Sequence, residues 1–118
     1  MKYVCLICID EKKLAALSPA EMRRFVQESI EYDVALAKRG RYLAAAALKP
    51  VETATTVRLR NGKPIVTDGP FAETKEQLGG IILIDAGNLD EAIGIAARIP
   101  ALRLGCVEIR AAKDMREL

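Results

Sequence analysis

The chain has 118 residues, of which 51% are hydrophobic and 29% charged, and its formal net charge at pH 7 is +2. This composition excludes intrinsic disorder and collagen-like or low-complexity sequence, and it predicts one globular domain over residues 1–118. The apolar runs 4–9 and 81–84 are far shorter than the roughly 20 residues that cross a bilayer. The first run ends at Asp10 without the small residues of a cleavage site, so we expect a cytoplasmic protein with no membrane contact.

Charge and residue types exclude several functions. The 18 basic and 16 acidic side chains are interleaved and only 4% of residues are aromatic, which argues against nucleic-acid binding. The chain has no His, and therefore lacks the commonest general base and the commonest transition-metal ligand. We expect neither a metal nor an organic cofactor.

The first predicted element is a strand over residues 3–9 that is apolar on both faces. Alternation places Tyr3, Cys5, Ile7 and Ile9 on one face and Val4, Leu6 and Cys8 on the other. Cys5 and Cys8 have the spacing C-x-x-C, but on a strand their sulfurs point to opposite faces. We therefore interpret them as small buried side chains and not as a redox pair.

A long helix follows a connector. Ser18, Pro19 and Glu21 form the pattern of a capping box, and Gly40 is placed to end the helix. Apolar and small residues at helical spacing predict its buried face: Met22, Phe25, Val26, Ser29, Ile30, Val34 and Ala37.

Residues 41–48 are ambiguous, because four alanines favour a helix while the short length between Gly40 and Pro50 favours a strand; we take the strand. Alternating residues 55–60 followed by Asn61-Gly62 predict a hairpin with a type I′ turn. That turn would place Arg60 opposite Lys63, Leu59 opposite Pro64, and Val57 opposite Val66. Because Pro64 has no N–H, this arm is expected at a sheet edge.

The second half repeats the pattern of strand and helix. A polar loop over 68–80 precedes a buried strand over 80–85, and Asn88 caps a second helix that ends at Pro100. The predicted buried residues of this helix are Ala92, Ile95, Ala96 and Ile99. In a last strand, 105–110, Val107 and Ile109 are predicted to face inward, and Cys106, Glu108 and Arg110 outward.

This order of elements predicts an α+β fold of the ferredoxin-like, split β-α-β type with an inserted hairpin. Such a sheet carries helices on one face only, yet strand 3–9 is apolar on both. A second copy of the sheet is the natural cover. We therefore predict a homodimer closed sheet to sheet, with a cleft between the sheet and the loops.

Residues 67–80 read TDGPFAETKEQLGG, and this segment closely resembles the signature of the DGPF group within the YCII-related proteins. Residues 1–3, 17–19, 54–58, 61–64 and 97–100 also match. The resemblance implies a dimeric α+β barrel of ferredoxin-like protomers. In better-studied relatives a His and an Asp near the inter-sheet cleft are the proposed catalytic pair; without a His here, only Asp68 is carried over.

The loop supplies the candidate site residues. Asp68 is the candidate general acid or base; its alternative role is to bond the backbone of an Asp-Gly-Pro turn. Lys75 is a partner for an anion or carbonyl, or a solvated charge, and Glu73 and Glu76 could join Asp68 in a carboxylate cluster. Phe71 either anchors the loop in the core or lines an apolar pocket. The predicted ligand-binding residues are Tyr3, Gly69, Pro70, Phe71, Glu73 and Lys75.

The sequence thus predicts a protein that binds an unidentified small molecule near residues 68–80, and leaves open acid–base chemistry of the lyase, isomerase or hydrolase type. The alternative is a non-catalytic interaction or regulatory protein. That hypothesis rests on the resemblance, since some members of the group are linked with extracytoplasmic-function sigma factors by gene neighbourhood or by transcription-related names; it implies a sigma-factor-related partner.

Overall fold

A four-stranded antiparallel sheet with helices on one face and a separate two-stranded hairpin make up the computed structural model, which describes residues 1–117. The strands are β1 (Lys2–Ile9), β2 (Tyr42–Ala47), β3 (Thr55–Arg60), β4 (Lys63–Asp68), β5 (Gln77–Asp85) and β6 (Gly105–Ala111). The helices are α1 (Glu11–Ala15), α2 (Pro19–Lys38) and α3 (Leu89–Ala96), with short 3₁₀ helices at Val51–Thr53, Pro100–Leu104 and Met115–Glu117.

The sheet has the order β2-β5-β1-β6, and each neighbouring pair is antiparallel. With the hairpin β3–β4 set aside, the chain runs β-α-β-β-α-β and its first strand lies between the third and the last, which is the ferredoxin-like arrangement. The predicted fold class is confirmed. The inserted hairpin is also present, as its own two-stranded sheet.

The core lies between one face of the sheet and the helices. One of the two apolar faces of β1 is buried there, and it carries Tyr3, Cys5, Ile7 and Ile9. They share one cluster with Ile82 and Ile84 of β5, with Leu36 of α2, and with the α3 residues Ala92, Ile95 and Ala96. Val107 and Ile109 of β6 pack against this cluster, so their inward orientation is confirmed.

Helix α2 begins and ends as expected, but its buried face differs from the prediction. The Ser18 hydroxyl accepts from the Glu21 N–H over 3.1 Å, and the Glu21 carboxylate accepts from the Ser18 N–H over 2.9 Å, which completes the capping box. Gly40, at φ 71°, follows the last turn. These local signals hold because they depend on residues within one turn of each other.

The residues of α2 that pack on the core are Phe25, Tyr32 and Leu36, whereas Val26, Ile30 and Val34 are exposed. The prediction that these three residues face the core was wrong. Each of these two sets of residues has helical spacing. The sets are offset by one residue, about 100° around the helix axis, so periodicity alone does not show which set is buried.

Other boundaries also differ. Helix α3 ends at Ala96 and not at Pro100, where a 3₁₀ helix begins. The expected connector after β1 contains the short helix α1, capped by the buried Asp10, whose carboxylate accepts from the Lys12 N–H over 3.0 Å. Strand β5 begins at Gln77, three residues before the predicted start at Gly80.

The hairpin has the predicted turn and register. Asn61 and Gly62 both have positive φ, 52° and 77°, as a type I′ turn requires. Leu59 pairs with Pro64 and Val57 with Val66. These apolar side chains share one face of the hairpin and are exposed.

The protomer exposes more surface than a compact monomer of its size. Its accessible area is 8477 Å², about a third above the roughly 6,300 Å² expected from its mass. Its radius of gyration is 16.2 Å, against roughly 13.5 Å expected for this length. The extents of 48 × 46 × 19 Å describe a flat slab, one sheet and one helix layer thick. Within residues 1–117, no helix combines the length and apolarity needed to span a membrane.

Candidate functional site

The sheet face opposite the helices, here called the open face, is covered by no helix of residues 1–117. Val4, Leu6 and Cys8 of β1 lie on it, and all three are half-buried by their neighbours in the sheet. Strand pairing adds Ile81 and Leu83 of β5, Ala44 and Ala46 of β2, and Cys106, Glu108 and Arg110 of β6. The open face is therefore apolar along its centre and charged on its β6 edge.

Residues 69–76, the 69–76 loop, are held by hydrogen bonds to their backbone. The Gly69 N–H donates to the Ala54 carbonyl oxygen, and the Thr56 hydroxyl donates to the Gly69 carbonyl oxygen, each over 2.7 Å. At the other end, the Gln77 amide donates to the carbonyl oxygens of Ala72 and Thr74, over 3.3 and 3.1 Å. The loop is thus fixed to β3 and β5 by its main chain, and the side chains of Phe71, Glu73 and Lys75 are exposed.

Asp68 lies at the end of β4, opposite Thr55, and is exposed. Its carboxylate accepts no hydrogen bond from the described residues, so the predicted turn bond is not formed. Asp68 cannot make this bond because the residue two positions after it is Pro70, which has no N–H to donate. Asp68 is therefore presented to solvent at the junction of hairpin and loop.

The other candidate residues of the loop are also solvent-facing. Phe71 is 80% exposed, which corrects the prediction that it anchors the loop in the core. Glu73 and Lys75 are exposed, while Gly69 and Pro70 are half-buried at the base of the loop. Five of the six predicted ligand-binding residues thus lie on the loop that follows Asp68 along the chain.

Tyr3 is the residue that the structure does not bring to this group. It lies buried on the core face of β1, paired with Ile84 and Ala111, whereas the end of β1 near the loop is Ile9, paired with Gln77. Its hydroxyl donates to the Met1 sulfur over 3.4 Å. The expectation that Tyr3 reaches the cleft is therefore wrong. Side chains alternate along β1, and the side chain of Tyr3 lies on the face that packs under the helices.

Three residues of the open face near the loop were not grouped from the sequence: Cys8, Cys106 and Glu76. Cys8 and Cys106 are directly opposite each other on β1 and β6. The Glu76 carboxylate, hydrogen-bonded to the Cys106 thiol, raises the pKa of that thiol, with smaller contributions from burial and from Cys8. The sequence contains part of the information needed to pair the two cysteines. Alternation places each cysteine on the outward face of its strand, and the ferredoxin-like topology makes these two strands neighbours.

The acidic residues of the loop do not assemble into a cation site. Among residues 1–117, no three His, Cys, Asp or Glu side chains are arranged to hold a metal ion. The suggested cluster of Asp68, Glu73 and Glu76 is thus not formed.

Two surface concavities lie elsewhere, between α2 and the Pro100–Leu104 helix. Their walls meet at an ion pair in which Arg103 Nη2 lies 2.6 Å from Glu28 Oε2. Neither concavity is lined by the 69–76 loop or by the open face. The protomer therefore offers side chains around the loop, but no enclosed pocket there among the described concavities.

The fold and this surface define a class: a ferredoxin-like α+β protomer with an inserted hairpin and an uncovered, largely apolar sheet face. The chain belongs to the YCII-related family, since the model of the YCII-related domain matches residues 1–116. It is 41% identical over 96 residues to an uncharacterised protein of Rhizobium meliloti (strain 1021), a match that spans 81% of this chain and 77% of the relative.

Among solved structures, the chain is similar to the 5-chloro-2-hydroxyhydroquinone dehydrochlorinase of Burkholderia phenoliruptrix AC1100 in complex with 2,5-dihydroxybenzoquinone. The sequence identity is 11% and the TM-score 0.49, and the match covers 99% of this chain and 98% of that one.

Proposed function

We propose that this protein is a homodimer that packs through the open face and binds a small organic molecule in the cleft between that face and the 69–76 loop. The observation that carries the proposal is the surface of the protomer, about a third larger than that of a compact monomer of the same mass. Membership of the DGPF group and a cytoplasmic location, both predicted from the sequence, are parts of this proposal.

The magnitude of the excess surface favours a second copy. It amounts to about 2,000 Å², while a standard protein–protein interface buries roughly 800 Å² on each partner. The open face supplies the apolar centre of such an interface through Leu6, Ile81 and Leu83. The exposed face of the hairpin, with Val57, Leu59 and Val66, supplies a second apolar area. A second copy of the same chain covers both at once, because a two-fold interface uses the same patch on each partner.

The loop determines the chemistry of the proposed ligand. Phe71 offers an apolar wall, Lys75 a cation for a carboxylate or carbonyl, and Asp68 a hydrogen-bond acceptor, and all three are exposed. These groups suit a small molecule with an apolar body and an acidic or carbonyl group. The proposal is binding; acid–base catalysis by Asp68 further requires the partner protomer to exclude water from a carboxylate that is exposed in the single chain.

The dimer is tested by light scattering on the eluting full chain. The wild type is expected at about twice the 12.9 kDa protomer mass. Leu83→Glu places a charge in the centre of the open face and is expected to give a monomer. The matched control is Leu89→Glu, the same substitution at an exposed leucine of α3, which should remain a dimer. A monomeric wild type would contradict the proposal and favour a regulatory partner, for example one linked to a sigma factor, on the same apolar surface.

The ligand site is tested by a thermal-shift screen of carboxylates and carbonyl compounds. A ligand at a concentration 100 times its Kd stabilises by about 2.7 kcal/mol, which for 118 residues raises Tm by roughly 11 °C. Asp68→Ala and Phe71→Ala should abolish the shift, and Asp90→Ala, an exposed acid on α3, should retain it. A compound that stabilises all three variants equally binds elsewhere, and this outcome would refute the assignment to the loop.

A further inference from the structure

Cys8 and Cys106 occupy facing positions on neighbouring strands of the open face. They are direct partners in the antiparallel pairing of β1 with β6, and Cys8 is half-buried while Cys106 is exposed. Residue 105 before Cys106 must be glycine, because a Cβ there would overlap the Cys8 carbonyl group. This close approach of the two main chains fixes Cys106 opposite Cys8.

The Cα separation expected for this pair lies within the range that disulfides span. On the same pair of strands, the Asp10 N–H donates to the Leu104 carbonyl oxygen over 2.8 Å and the Ala112 N–H donates to that of Lys2 over 2.9 Å. Hydrogen-bonded pairs recur every two residues along antiparallel strands, and Cys8 is two residues before Asp10. Cys8 and Cys106 are therefore a hydrogen-bonded pair, in which the Cα atoms are about 5.5 Å apart. Disulfides join residues whose Cα atoms are roughly 4.4–6.8 Å apart.

We propose that Cys8 and Cys106 form a reversible disulfide within one protomer, with hydrogen peroxide or another hydroperoxide as the oxidant. One thiol releases its proton, and its thiolate attacks a peroxide oxygen; the O–O bond breaks, a sulfenic acid forms, and the leaving oxygen takes up a proton to become water, or an alcohol if the oxidant is an organic hydroperoxide. The second thiol loses its proton and attacks the sulfenic sulfur; the S–S bond forms, the S–O bond breaks, and the oxygen leaves as water. The two sulfurs together lose two electrons, and the peroxide gains them.

The geometry predicts that this bond is easily reduced. Directly opposite residues have Cβ atoms about 4.5–5.5 Å apart, whereas a relaxed disulfide holds them at roughly 3.5–4.5 Å. Closing the bond therefore strains the pair, and strained disulfides are the more readily reduced ones. β6 is an edge strand, bonded to β1 alone, and can shift to close the gap.

Glu76 and Cys5 distinguish this pair from ordinary surface thiols. The Glu76 carboxylate raises the pKa of the Cys106 thiol, which lowers the thiolate fraction of Cys106 and slows its reaction with peroxide. Cys5, the third cysteine, is fully buried on the opposite face of β1, where it can reach neither thiol. It therefore serves as an internal control for thiol counting.

The test treats the reduced full chain with a small excess of hydrogen peroxide and then alkylates it in denaturant. The wild type should lose the mass of two hydrogen atoms, fall from three alkylatable thiols to one, and recover all of them with dithiothreitol. Peptide mapping should join the peptides of Cys8 and Cys106. Cys5→Ala should behave like the wild type, and neither Cys8→Ser nor Cys106→Ser should form an intramolecular disulfide.

Three outcomes would overturn the proposal. One is a wild type that keeps three alkylatable thiols. Another is a covalent dimer through Cys106 that replaces the internal bond. The third is oxidation only to sulfinic or sulfonic acid, which dithiothreitol does not reverse. None of these measurements depends on a ligand. The intramolecular disulfide is measured by mass and thiol count, whereas the proposed homodimer is measured by light scattering, so either can fail without the other.

Discussion

Leu36→Ala measures which face of α2 is buried. Leu36 is 0% exposed and belongs to the core cluster between α2 and the sheet. Truncation removes three buried carbon atoms and leaves a cavity, at a cost of about 3 kcal/mol. The entropy of unfolding for 118 residues is roughly 0.25 kcal/mol/K, so Tm should fall by about 12 °C. Urea unfolding followed by circular dichroism gives the free energy directly, and calorimetry gives Tm.

The control is Val34→Ala on the same helix, because Val34 is 48% exposed. There the few lost contacts are offset by the higher helix propensity of alanine, so the free energy of unfolding should change by less than about 0.5 kcal/mol. If Val34→Ala destabilises as much as Leu36→Ala, the stripe of Val26, Ile30 and Val34 is buried and our assignment of the core face is wrong.

Three further predictions concern local contacts. Ser18→Ala removes the α2 cap and should lower the free energy of unfolding by about 1 kcal/mol, measured with urea. The Ser18 N–H lowers the pKa of Glu21, so the stability lost in Glu21→Gln should be seen at pH 7 and vanish as the pH falls below the lowered pKa; a difference that persists at pH 2 contradicts this. Glu76→Gln should move the pH profile of Cys106 alkylation to lower pH, because the carboxylate that raises the thiol pKa is gone; an unchanged profile would rule out the contact.

The parts of the fold that the sequence predicts are those decided by near neighbours or by simple alternation. Asn61-Gly62 determines the hairpin turn, and the turn then determines the pairing of Leu59 with Pro64. Alternation also sorts the side chains of β1 into two faces, but both faces are apolar, so the pattern does not determine which of them is buried under the helices. Together with the caps of α2 and α3, these signals are sufficient for the ferredoxin-like order of elements.

The features that the sequence did not predict depend on partners distant along the chain. Tyr32 faces α3, where its hydroxyl donates to the Ile95 carbonyl oxygen over 2.6 Å, a contact between residues 63 positions apart. Glu76 acts on the pKa of Cys106 although the two residues are far apart along the chain and belong to the two strand regions that flank β1. Periodicity identifies candidate faces, but contacts of this kind select among them.

The 69–76 loop is the segment on which the proposed binding site rests. Its hydrogen bonds to Ala54, Thr56 and Gln77 use main-chain atoms of the loop, so they fix its path without engaging the side chains of Asp68, Phe71 or Lys75. A protein core would bury a phenylalanine, yet Phe71 is 80% exposed on a loop that is held in place. An ordered backbone that presents an aromatic ring and two charges outward is suited to a contact beyond the protomer. The open face lies uncovered beside Glu76 at the end of the same loop, and the excess surface is enough for a second chain. In the proposed homodimer a second copy would cover the open face and close the cleft beside this loop, and the light-scattering and thermal-shift experiments test these two parts separately.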